Sequence, residues 1–233
     1  MKTILILTDS LGMPRPEQKP DDSWPIMIKN SFKDDFNFIS YLRRGATIDM
    51  LEEWFSSVIH LYRPPIVFFQ VGIVDCVRRA LPEFMIKLIT NIPYLNKYIR
   101  LFIKKHHYFI TKISNTRRTR LSIFKKKIES IIAIAEKHET KVIFISICPP
   151  GDYLINSTYN VNHDINMYNS LMDRICHLHL NAKVLFPYSN ISFINRSRIV
   201  LNSDGHHLTE FGHNLVSKKV IEELYMLLER RDI

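Results

Sequence analysis

Cysteine is scarce in this chain. Its three cysteines, Cys76, Cys148 and Cys176, lie far apart among 233 residues. That excludes a disulfide framework and the close pairings of metal or redox sites, and predicts free, buried thiols in a reducing compartment. Charge-free runs of about 18 residues are missing as well, which excludes a membrane-spanning helix. The first apolar run, Thr3 to Leu7, stops at Thr8-Asp9 and has no small-residue cleavage site after it. It therefore reads as a buried first strand and not a signal peptide, and a cytoplasmic protein is expected. Repeats, low-complexity tracts and linkers are also lacking. One domain over 1–233 is expected, with a basic helical insertion at about 80–120. A last absence is local. From Phe84 to Ile128 there are twelve Lys and Arg and no Asp or Glu, while the rest of the chain is close to neutral despite a net charge of +9. Any electrostatic partner should meet the protein there.

What is present alternates between two periods. Residues 3–8 predict a strand, and Phe36 to Tyr41 a second. Ile48, Leu51, Trp54, Phe55, Val58 and Leu61 share one face of a helix that Pro64-Pro65 ends. Ile66 to Val71 is apolar almost throughout, as in a strand buried on both faces, and Gly72 closes it. Residues 80–120 are irregular, basic and aromatic, with Pro82 and Pro93 as breakers between helices. Ser122 to His138 predicts a helix, Val142 to Ile147 a buried strand stopped by Pro149-Pro150, Asn162 to Leu180 a helix, and Val184 to Phe186 a short last strand. Leu208 to Leu228 predicts a terminal helix with Leu215, Val216, Ile221, Leu224 and Leu228 facing the core. The alternation predicts a three-layer α/β/α sandwich around a mainly parallel sheet of about five strands. In such sheets, sites gather beyond the carboxyl ends of the strands. Ser10, Gly45, Gly72 to Asp75 and Pro149 all follow predicted strands and should share one sheet edge.

Asp204-Gly205-His206-His207 is the most informative stretch. An aspartate three positions before a histidine can orient that histidine as a base, and Ser10, after the first strand, can supply a nucleophile. Ser10 at a strand end could equally cap the next turn.

Four blocks together resemble the SGNH, or GDSL, hydrolase family: Thr8-Asp9-Ser10-Leu11, Arg43-Arg44-Gly45-Ala46-Thr47, Val71-Gly72-Ile73-Val74-Asp75, and Asp204-Gly205-His206-His207-Leu208 followed by Glu210-Phe211-Gly212-His213. Asn166-Met167-Tyr168-Asn169 resembles a helix motif frequent in that family. The resemblance implies a flavodoxin-like SGNH fold and a serine esterase with Ser10 as nucleophile, His207 as base and Asp204 as its orienting acid. The Ser10 and Gly45 N–H groups would bind the oxyanion, and no cofactor or metal is implied. Two positions depart from the pattern. Thr8 stands where the family usually has Gly, and Val74 where it has an oxyanion-binding Asn. A lost donor costs about 2.7–4 kcal/mol of barrier. Arg78 or Arg79 could replace it by contacting the oxyanion or the substrate; otherwise activity is weakened or lost. Gly-Ile-Val-Asp-Cys is similar to a variant in proteins of bacterial surface-polysaccharide pathways. That implies an O-acyl or O-acetyl carbohydrate substrate and a role in carbohydrate deacetylation or polysaccharide biosynthesis. A sugar hydroxyl in place of water would make the same site an O-acyltransferase.

The remaining polar residues have plainer readings. His206 is expected to be exposed or structural, His213 is a second base candidate at a position the family uses structurally, and Asp75 is expected to cap the following helix or orient nearby loops. His206, His207 and His213 lack a recognised ligand spacing. The basic segment 84–128 interleaves Lys97, Arg100, Lys104, Lys105, Lys112, Arg117, Arg118 and Arg120 with Tyr94, Tyr98, Phe102, Tyr108 and Phe109. Nucleic acid is the weakest reading, since no known motif is present. An anionic membrane surface is another, with the protein peripheral to the inner membrane face. A lid that receives an acidic glycan or anionic acyl carrier is a third, and a solvated face over an aromatic core a fourth.

Overall fold

Five apolar runs become five strands, and their burial explains their composition. A computed structural model describes residues 1–82, 85, 88, 93–189, 191 and 198–229, without the side chains of 93–96. The strands are β1 (Lys2–Thr8), β2 (Phe36–Leu42), β3 (Ile66–Gln70), β4 (Lys141–Ile145) and β5 (Ala182–Leu185). All pair in parallel, in the order β2-β1-β3-β4-β5. Every residue of β3 is buried, as is β4 after Lys141, so neither strand needs a polar face. The edge strand β2 is largely part-exposed and reads as alternating.

Eight helices are described: α1 (Trp24–Ser31), α2 (Ile48–Tyr62), α3 (Ile73–Cys76), α4 (Pro93–Ser114), α5 (Leu121–Glu136), α6 (Asp152–Ser157), α7 (Val161–Cys176) and α8 (Glu210–Glu229). α5 packs between α2 and α7, and α1 packs on α8. The result is a three-layer α/β/α sandwich with a parallel five-stranded sheet. Its centre is aromatic: Phe69 of β3 stacks on Phe144 of β4 and meets Phe55 of α2 edge-on, both at 5.4 Å between centroids.

Several sequence expectations shift. On α2 the buried stripe is Ile48, Leu51, Phe55 and Ile59, whereas Leu61 is 68% exposed. Ile59 continues the four-residue step from Phe55, and two further residues rotate Leu61 to the solvent side. The short helices α1, α3 and α6 were not legible as periodic patterns. In the basic segment Pro93 stands at the start of α4, which runs 22 residues with a backbone departure at His106 (φ −112°, ψ 18°). Of the expected insertion, residues 83–84, 86–87 and 89–92 lie outside the described residues, as do Phe84 and the side chain of Tyr94. On α8, Val216 and Leu224 are buried, and Leu215, Ile221 and Leu228 pack partly buried against the core. No helix among the described residues is long and apolar enough to cross a membrane.

Phe69 packs on a neighbouring strand and on α2 at once and is fully buried, so Phe69→Ala should lower unfolding free energy by about 3–5 kcal/mol. Denaturant titration of the two chains measures it, and a loss below about 1 kcal/mol would mean that the centre collapses around the cavity.

Candidate active site

Parallel pairing sends the ends of β1, β2, β3 and β4 to one edge. β1 runs directly into a single 3-10 turn, Ser10–Gly12, in which the Asp9 carboxylate accepts the Leu11 N–H at 2.8 Å. Asp9 N–H donates to Gln70 O at the end of β3, and Arg43 N–H donates to Thr8 O. These bonds hold the turn that carries Ser10 between its two neighbouring strands. The turn Arg43 to Ala46 follows β2, closed by Ala46 N–H on Arg43 O at 3.1 Å, with Gly45 at φ +68°.

The late block arrives from the other end of the chain. Leu201 N–H donates to His207 O and Gly205 N–H to Leu201 O, both at 2.8 Å, which folds 201–207 into a closed loop. Gly151, after β4, donates its N–H to Gly205 O at 2.8 Å. Gly205 has φ +72°, and a Cβ there would lie 2.7 Å from Leu154 N, so this approach needs glycine.

The consequence is a short relay. His207 Nε2 lies 3.0 Å from Ser10 Oγ, and His207 Nδ1 lies 2.8 Å from Asp204 Oδ2. Asp204 Oδ1 accepts the His206 and His207 N–H groups, each at 3.0 Å. Burial alone would raise the Asp204 pKa, but the His207 side-chain bond and these N–H groups outweigh it and hold the carboxyl well below its usual range. An ionised Asp204 favours the tautomer with the proton on Nδ1, leaving the Nε2 lone pair toward Ser10. Ser10 and His207 are themselves buried. The structure thus brings together the three residues that the sequence separates. His206 is partly buried beside them, its pKa lowered by burial and then by the charge of His207. Asp204, His206 and His207 each place a ligand atom within 4.8 Å of the others. The bonds of His207 to Ser10 and Asp204 fit a proton relay better than a metal site, which would need at least one of its ring nitrogens. His213 is buried apart from this group, accepts the Trp24 N–H on Nδ1, and is pushed down to about 4 by burial.

Two residues near the relay carried no sequence signal. Arg15 Nη1 lies 3.4 Å from His207 Nε2. Gln18 accepts the Arg15 N–H and donates to Leu208 O, tying the loop after the Ser10 turn to the late block. Both sit in a Pro-bounded loop without periodicity, and their partners are about 190 positions away, so only the folded chain reveals them.

Of the other predicted positions, Val74, Arg78 and Arg79 line a cavity of about 610 Å³, and Gly45 is not part of its lining. Val74 and Ile73 of α3, Val77, Arg78 and Arg79 form one wall, α4 supplies Ile99, Ile103 and Lys104, and Asp204 and His206 lie at the relay end. Arg78 donates through Nε to Asp164 of α7 at 2.7 Å, and Arg117 donates to the same carboxylate at 2.7 Å. Burial raises the Asp164 pKa, and the two guanidinium groups outweigh it, leaving it lowered. Arg79 pairs its backbone with Thr116. Asp75 accepts the Ile48 N–H at the start of α2 and the Thr119 hydroxyl, the capping role expected of it but toward α2. Asn169 grips Ile147 by both its N–H and C=O at 2.8 and 3.0 Å, fixing the turn after β4.

Solved structures share this fold. A lipase/acylhydrolase from Enterococcus faecalis is similar with a TM-score of 0.68 at 13% identity, over 96% of this chain and 95% of that one. A member of the lipolytic protein G-D-S-L family from Veillonella parvula gives 0.62 at 14% identity, over 95% and 97%. A carbohydrate acetylesterase family member from Sinorhizobium meliloti gives 0.63 at 14% identity, over 98% and 100%. At these identities the likeness is one of fold, and it is the fold that the four blocks implied. No family model and no curated protein sequence matches the chain.

Asp9 yields a test of the site's electrostatics. Burial pushes its pKa up to about 8, against the lowering bond from Leu11 N–H and with Asp75 adding to the rise. Its Oδ2 is buried without a partner, consistent with a proton held there. The unfolded chain releases that proton near 3.8. The stabilising contribution is therefore complete below about pH 4 and is lost as pH rises through about 8. Asp9→Asn keeps the acceptor for Leu11 and removes the titration. Its urea midpoint should decline less than that of the parent chain over this interval; equal slopes would mean that Asp9 is ionised in the native state.

Proposed function

We propose that the chain is a serine esterase of the SGNH type that hydrolyses an O-acyl ester, with an acylated carbohydrate as substrate. One observation carries the reading: the 3.0 Å and 2.8 Å contacts that join Ser10, His207 and Asp204. The fold shared with esterases and acylhydrolases supports the reaction class, and the likeness to a carbohydrate acetylesterase family member supports the substrate class.

The chemistry follows the residues. Ser10 Oγ attacks the ester carbonyl carbon as His207 Nε2 takes the hydroxyl proton. Asp204 stabilises the imidazolium that forms. The Ser10 and Gly45 N–H groups hold the negative oxygen of the tetrahedral intermediate. Its collapse expels the alcohol, which leaves with the proton from His207, and the acyl group remains on Ser10. Water then attacks the acyl-enzyme, its proton passes to His207, and release of the acid returns a proton to Ser10. The apolar stretch Ile73, Val74, Val77, Ile99 and Ile103 suits the acyl group. Arg78, held by Asp164, serves better as a fixed wall contact than as an oxyanion donor, since Nε and Nη2 are already engaged.

A fluorophosphonate probe should label Ser10, and labelling and ester hydrolysis should both vanish in Ser10→Ala. Labelling that persists in Ser10→Ala would overturn the assignment. Val74→Asn restores the amide donor and should raise kcat by about 10²–10³ on nitrophenyl esters. A change under about threefold would mean that another group already fills that role.

A further inference from the structure

We propose that α4 docks the protein on an anionic lipid surface through an exposed apolar stripe. The helix has two dissimilar sides. Ile99, Ile103 and His107 face the body and line the cavity beside the relay. His107 Nδ1 lies 2.7 Å from Ser157 O, and Thr111 accepts the Tyr159 N–H at 3.1 Å, so this side is anchored. The opposite side leaves Tyr98 (71%), Phe102 (62%), Phe109 (62%) and Ile113 (69%) open to solvent. Their spacing of four, seven and four puts them in one line along the helix. Phe102, Phe109 and Ile113, with His106 and Ile110, surround a shallow apolar hollow. A patch of this kind on a charged helix marks a contact surface.

Charge decides what covers it. Lys97 and Lys105 are exposed on this helix away from the cavity wall, and no Asp or Glu occurs from 84 to 128. A second copy would set like charge against like charge. A nucleic acid would match the charge and could stack on the aromatics, but it leaves Leu101 and Ile113 without a partner. An anionic bilayer offers phosphate to the cations and hydrocarbon to the aliphatic and aromatic side chains together. Because the other side of α4 walls the cavity, docking would hold the cavity one helix diameter, ~10 Å, from the lipid surface. That last consequence rests on the proposed esterase reading; the docking itself does not.

The test uses the full chain and vesicles of phosphatidylcholine with or without phosphatidylglycerol. Co-flotation should need the anionic lipid. Lys97→Gln with Lys105→Gln should weaken it by about thirtyfold. Phe102→Ser with Phe109→Ser should weaken it about tenfold or more without lowering thermal stability, since both rings are exposed. A Phe109→Trp chain should gain a blue-shifted emission component quenched by brominated lipid. Ser10→Ala should float like the parent, which separates this result from the fate of the esterase reading. Absence of flotation overturns the proposal. So does binding that ignores the phenylalanine changes and is matched by inorganic polyphosphate or single-stranded DNA, or a stripe covered by a stable dimer in sedimentation.

Discussion

The hydrogen bond between Ser10 and His207 joins residues 197 positions apart, and most of the structure can be understood as what holds its two ends still. One end is rigid because β1 lies inside the sheet, with β2 on one side and β3 on the other, and bonds continue past the strand into Asp9 and Arg43. The other end belongs to an irregular segment that would wander without tethers. Its tethers are Gly151 on Gly205, Gln18 on Leu208, and the closed loop from Leu201 to His207. On the proposed mechanism, a displacement of about 1 Å at such a site would cost about 10²-fold in rate, and the close approach of two glycine backbones would then serve the chemistry as well as the packing.

Buried carboxylates fix the rest of the sheet edge, each by a different means. Asp75 spends its oxygens on the α2 N-terminus and Thr119 and is raised to about 6, chiefly by burial. Asp164 neutralises Arg78 and Arg117, which come from the loops on either side of α4. Removing such a carboxylate would strand two guanidinium groups, so the two loops, one of which walls the cavity, are held together by it. The basic segment is thus not a loosely attached decoration. Its roots are ionic and buried, while its outer side is apolar and exposed.

Much of this was legible in the sequence because it is local. The inner strands β1, β3 and β4 declare themselves as β-rich apolar runs, since burial on both faces leaves little room for polar residues. The relay could be read from two short blocks, since Asp204 and His207 are neighbours and Ser10 ends a strand. What escaped is what depends on distant partners. Arg78 reads as a free cation until Asp164, 86 positions on, takes it. Arg15 and Gln18 have no signature except their contacts across the fold. Leu61 misled because a two-residue offset on a helix reverses its side, which a list of apolar positions conceals. Thr8 looked like a defect in the first block; its side chain fills the space beside Gly12, where any Cβ would lie 2.1 Å from Thr8 Oγ1.

Val74 admits the same kind of reading. An asparagine there would present a polar amide among Ile73, Val77, Ile99 and Ile103, and would need an oxyanion or water to satisfy it. Valine instead continues the apolar wall. On the proposed mechanism this removes a contact made only in the transition state and adds surface that grips the acyl group before and during reaction alike. Interactions of the first kind raise kcat, whereas those of the second lower KM without accelerating the chemical step. The substitution thus favours tight capture over rapid turnover.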